Sequence, residues 1–163
     1  MNTLLAEVAR EEARKNYHGE TDTTMNNLQA LAELFDAVDG VTLDTLSDDW
    51  SGAFAYLCTE LAGVGLPLKY PDPRVRASFA SVAAWEDYAR LPKIRLWHGA
   101  EEVPEVGDLV IFENPEDVPP RMGVVLSVTE TDMDVALGNH RKHSAVIEHP
   151  LRQGIRGYIR LIG

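Results

Sequence analysis

The chain contains a single cysteine, Cys58, among its 163 residues. That excludes an internal disulfide framework and a cysteine-rich zinc site. It contains no apolar run near the roughly 20 residues of a membrane helix, which argues against membrane insertion. The opening stretch, MNTLLAEVAREEARKNY, is charged along its length and has no apolar signal core. The expectation is therefore a cytoplasmic protein, with a phage-associated or non-classically exported one as the alternatives. Basic residues are also in deficit. Lys and Arg number 15 against 26 Asp and Glu, a formal charge of −11. The deficit is concentrated in residues 1–60, where twelve acids face three bases. Such a chain repels phosphate backbones and anionic bilayers, which argues against nucleic acid as a partner. Internal repeats, low-complexity tracts and long linkers are absent.

What is present is an ordinary globular composition, 45% hydrophobic and 25% charged with a mean hydropathy of −0.18. The length is that of one domain. Helical spacing dominates the first half: Leu4, Leu5, Val8 and Ala9; then Leu28, Leu31, Ala32, Phe35 and Val38 within 24–38; then Phe54, Leu57, Cys58 and Leu61 within 50–63. A fourth helix is predicted over 77–91 and is closed by Pro92. Beyond it the period changes to two. Strands are predicted at LVIF (109–112), MGVVLSV (122–128), MDVAL (133–137), SAVIEH (144–149) and GYIRLI (157–162). Pro115, Pro119 and Pro120 make 113–121 a loop. Helices first and consecutive strands after predict an α+β fold, with N-terminal helices packed on a mainly antiparallel sheet of about five strands.

Several short strings, in order, resemble a known family. DDWSGAFAYLCTELAG (48–63) resembles the nucleophile helix of the CHAP and NlpC-type amidases and peptidases of the papain-like superfamily. VPEVGDLVIF (103–112) is similar to their first core strand, and RMGVVLSV (121–128) to the next, which the catalytic histidine opens. ALGNH (136–140) resembles the Glu-Gly-Asn turn that supplies further polar groups, and GYIRLI (157–162) the closing strand. The resemblance implies a papain-like core over 45–163, a helical extension over 1–44, and one domain spanning 1–163.

The departures from that pattern bear on chemistry. The cysteine position holds Ser51, the histidine position Arg121 and the glutamate position Leu137; only Asn139 is retained. The family reaction needs a thiolate, a base and a group that orients the base. A helix N-terminus contributes about 1 kcal/mol and cannot ionise a serine hydroxyl. A guanidinium holds its proton to a pKa above about 12 and cannot serve as the base. The resemblance thus implies an inactive hydrolase scaffold that binds rather than cuts. The alternative is a cysteine-type peptidoglycan amidase or peptidase in which serine has been engineered into position 51. A third reading is an assembly subunit, for instance of a phage-derived particle.

For the binding reading, Trp50, Ser51, Arg121 and Asn139 are the ligand-site candidates. A hydroxyl, a helix N-terminus and a guanidinium together suit a peptide or small carboxylate. Pairing of Arg121 with Asp49 would instead close the cleft. The acidic half offers a face for a protein partner. Other reactive residue types read as structural. Cys58 lies on an apolar stripe and behaves as a small core residue. His140, His143 and His149 have no zinc-type spacing, so no metal is expected, and no cofactor either. Trp85 and Trp97 read as packing residues.

Overall fold

The helices begin where the sequence supplies caps. In the computed structural model, which describes residues 1–19, 27–36, 41–66, 74, 78–113 and 120–161, α1 (Thr3–Ala13) starts with the Asn2 side chain accepting the Leu5 N–H at 3.0 Å. That bond satisfies one of the donors every helix start leaves open. The α1 stripe Leu5, Ala6, Ala9 and Ala13 is buried. After α2 (Gln29–Leu34), α3 (Leu43–Asp48) opens with a reciprocal cap between Thr42 and Thr45. Next come α4 (Ser51–Leu61) and α5 (Val82–Ala89).

α4 is the centre of the molecule. Every residue from Ser51 to Thr59 is buried, because α4 packs on the sheet while α1, α2 and α5 cover its remaining faces. A helix enclosed on all sides is apolar all round rather than along one stripe. Each large side chain it buries, Phe54 for example, contributes about 2 kcal/mol.

Six strands form one sheet in the order β1-β6-β2-β3-β4-β5, with every neighbouring pair antiparallel. They are β1 (Trp97–Gly99), β2 (Leu109–Phe112), β3 (Met122–Val128), β4 (Asp132–His140), β5 (His143–Pro150) and β6 (Ile155–Ile159). Side chains alternate between the faces. Leu109, Ile111, Met122, Val124 and Ala136 join the helices. Val110, Phe112, Val125, Val135, Leu137 and Tyr158 form a second cluster on the outer face. β2 is buried on both faces, which is why LVIF reads as an unbroken apolar run.

The architecture is α+β with an antiparallel sheet, as the order of periodicities predicts, and among the described residues the sheet has six strands rather than about five. The added strand, β1, has three residues and no room to display an alternation. α3 was not anticipated either. The predicted helix over 24–38 is observed as Gln29–Leu34, with 24–26 and 37–38 outside the described residues. The one over 77–91 starts only at Val82. Ser78 to Ser81 form a turn there, and the Phe79 carbonyl accepts the Trp85 indole N–H at 2.9 Å. The GNH segment is not a turn but part of β4, where the register shifts between Leu137 and His140 and Asn139 has a φ of 61°. The turn follows at Arg141 and Lys142, with φ of 51° and 67°. Two positive φ values in a two-residue connection are what a type I′ hairpin requires. β6 ends at Ile159, with Arg160 and Leu161 beyond it and the predicted end at 162 outside the described residues. No helix among the described residues is long and apolar enough to cross a membrane.

Candidate functional site

Four of the residues singled out by sequence, Trp50, Ser51, Arg121 and Asn139, lie around the first turn of α4, where it meets the start of β3. Ser51 is the first helical residue, and Trp50 is the N-cap, with no side-chain capping bond. Ser51 is completely buried, and its Oγ accepts the backbone N–H of Met122 at 3.2 Å. The hydroxyl thus ties the helix to the first residue of β3.

Arg121 precedes Met122 and is half-buried. Its carbonyl accepts from Phe112 N–H at 2.9 Å, and its Nη1 donates to the Asn139 carbonyl at 3.3 Å. The guanidinium is therefore drawn across to β4. The expected closure through an Arg121–Asp49 pair is not formed. Asp49 Oδ1 is buried without a hydrogen-bond partner, and burial pushes this carboxyl up to about 6. A neighbouring guanidinium would have moved it the other way.

Trp50 is fully buried. Its ring meets Phe54 edge-on at 6.4 Å, and its indole N–H has no partner. Two glycines make its slot. A Cβ on Gly19 would come within 2.6 Å of the indole nitrogen. One on Gly138 would meet Phe54 Cβ at 2.5 Å and Trp50 Cε3 at 3.1 Å. Gly138 is thus required in β4 for α4 to approach closely.

Leu137 is not brought to this site. It packs in the outer-face cluster, on the far side of the sheet from Ser51. Ser51, Arg121 and Asn139 are linked through Met122 N–H and the Asn139 carbonyl. Asn139 takes part through its backbone, in a strand distortion.

One residue that sequence reasoning set aside lies beside Arg121. His140 is half-buried; burial lowers its pKa, and the Arg121 and Arg141 charges lower it further. The imidazole is held neutral but makes no hydrogen bond with Ser51, whose one bond is to Met122. The signal available in the sequence was its position beside Asn139.

The remaining candidates are dispersed. Cys58 is fully buried two turns along α4, and burial first, then Glu12, push its thiol well above the usual range. His143 Nδ1 lies 3.4 Å from Asn16 Oδ1. His149 Nε2 lies 2.6 Å from the Gln153 carbonyl. No group of three or more His, Cys, Asp or Glu among the described residues is placed to hold a metal ion. Trp85 is buried, and its indole N–H donates to the Phe79 and Gly52 carbonyls.

The site therefore has a hydroxyl engaged by backbone, a guanidinium and a nearby neutral imidazole. It has no bonded nucleophile–base pair of the kind nucleophilic catalysis requires. The chain matches no protein-family model, and no curated protein or solved structure matches it.

Proposed function

We propose that the chain is a papain-like module, related to the CHAP and NlpC-type amidases and peptidases, that has lost hydrolysis and acts by binding a partner protein. One observation carries this reading: the Ser51 hydroxyl is completely buried and bonded to Met122 N–H, next to Arg121 in place of a base. The layout around it supports the relation. An enclosed helix starts against the first residue of a central antiparallel strand, and the next strand, β4, lies under the same helix. That is the placement the resemblance implies for nucleophile and base.

For this site we take a protein partner over a small ligand. Trp50 and Ser51 are sealed, so neither has a surface to offer a carboxylate. Arg121 and His140 are the half-buried groups at its rim. The acid surplus of residues 1–60 suits a partner with a basic surface, since charge sets encounter rate and register.

The test is hydrolysis by the chain and by its Ser51→Cys variant, read as release of free amino groups from purified peptidoglycan. Neither protein should release any, because a thiol at position 51 still lacks a base. Turnover by the cysteine variant would overturn the reading and restore the engineered-enzyme alternative.

A further inference from the structure

β5 stands at one end of the strand order, with β4 on one side. The alternation of a strand decides which of its backbone groups point to the other side. Ser144 N–H donates to the Tyr17 carbonyl at 2.8 Å, away from β4, whereas Leu151 N–H donates to the Thr131 carbonyl at 2.9 Å, beside β4. By that alternation Ala145, Ile147 and His149 bond to β4, and Val146 and Glu148 turn N–H and C=O outward. These outward groups have no partner among the described residues. Pro150 falls on the same outward parity, where a missing N–H costs the sheet no bond.

The first part of this edge is already occupied, by the chain itself. Residues 17–19 run antiparallel to it: His18 bridges His143, and Gly19 N–H donates to the Lys142 carbonyl at 2.8 Å. Asn16, with a φ of 56°, turns the chain away toward α1. The edge thus accepts a strand at 142–144 and is left open over 145–149. At the opposite end of the sheet β1 has three residues, too short to template another strand.

The side chains of the open stretch say what suits it. Val146 is 43% exposed, and it shares the helix-side face with Glu148, since its partner Ala136 joins the helices. Ile147 is half-buried beside the outer-face cluster. A charge on an edge repels a strand that brings the same sign opposite it and favours one that brings the other sign. A second copy would set one formal charge of −11 against another. A basic strand meets attraction from Glu148 and from the chain as a whole. We propose that β5 adds an extended segment of a partner protein as a further antiparallel strand, with Lys or Arg opposite Glu148 and an aliphatic residue opposite each of Ile147 and Val146. Main-chain bonds to Val146 and Glu148 supply affinity, and the alternating side chains supply selectivity. This docking edge goes beyond the Ser51 site and stands whether or not that site cuts.

Fluorescence anisotropy with the whole chain and an N-terminally labelled peptide, Thr-Lys-Ile-Val-Thr-amide, tests this. Binding should saturate with a Kd below about 1 mM. In the antiparallel register the peptide's Lys and Val N–H groups donate to β5 and its Ile N–H points away. Methylating either of the first two nitrogens should weaken binding at least about tenfold, and methylating the third should change it by less than about twofold. A peptide with Glu in place of Lys should bind about twofold to fivefold more weakly, and Glu148→Lys in the protein should reverse that preference. Val146→Pro, which removes an outward N–H, should weaken binding about tenfold; Glu148→Lys, at an exposed position, keeps the test decisive if that variant does not fold. Sedimentation should show the free chain as a monomer. No saturable binding, equal losses from all three methylations, or a charge preference that Glu148→Lys leaves unchanged would each overturn the proposal. So would a dimer of the chain that Glu148→Lys or Val146→Pro dissociates, because the edge would then belong to a second copy.

Discussion

Asp49 is held at the start of α4 with one carboxylate oxygen buried and unpartnered, and that has a pH signature. Its folded pKa of about 6 lies above the unfolded value of about 3.9. As pH rises the unfolded chain releases this proton first, so the group's contribution to stability is fully present below about pH 4. It falls through the interval from 4 to 6 and is level above. Asp49→Asn should remove that slope. At pH 7 the variant should be more stable by about 1–2 kcal/mol, a figure that allows for partial solvation of the carboxyl. Denaturant unfolding of both proteins across pH 4 to 7 checks this; parallel pH profiles would contradict it. Cys58, buried and with its pKa raised, should stay unmodified by a thiol reagent in the native protein and react in denaturant. Native labelling at the rate of a free thiol would count against the enclosed packing of α4.

At the level of elements, α4 is positioned by close approaches. Trp85 Nε1 donates to the Gly52 carbonyl at 3.2 Å, and a Cβ on Gly52 would stand 2.9 Å from the Ala80 carbonyl oxygen. Gly52→Ala improves helix propensity yet should destabilise by about 1–3 kcal/mol, because backbone rather than a flexible side chain must yield. The midpoint of thermal unfolding reads this directly, and a raised midpoint would show that the 78–81 turn can move. Much of the element plan was legible before the structure. Alternation located five of the six strands, since each runs long enough to display a period of two or a buried apolar run. β1 was invisible, because three residues have no period. α3 was overlooked, although the Thr42–Thr45 pair that caps it is a sequence signal. The site was legible as an order of elements, which put Ser51 opposite Arg121. Side-chain destinations were not. Leu137 faces outward because strand parity, and not adjacency to Asn139, fixes its face. Arg121 reaches the backbone carbonyl of Asn139, in the distorted stretch of β4, a destination that residue order does not reveal.

Across the whole molecule, charge sets the solution behaviour. With a sequence pI of about 4.8, solubility should pass through a minimum near that pH and recover on either side. Light scattering across a pH series gives the comparison, and a flat profile would mean that the folded chain hides its charge balance. The order of the strands carries a different consequence. β6 follows the other five strands in the chain but is inserted between β1 and β2 in the sheet. During synthesis, hairpins β2–β3 and β3–β4 can close as they leave the ribosome, while the flank of β2 waits with its ladder groups bare. The nascent chain therefore carries an adhesive edge until β6 arrives, and a product ending before Ile155 would keep that edge permanently and tend to self-associate.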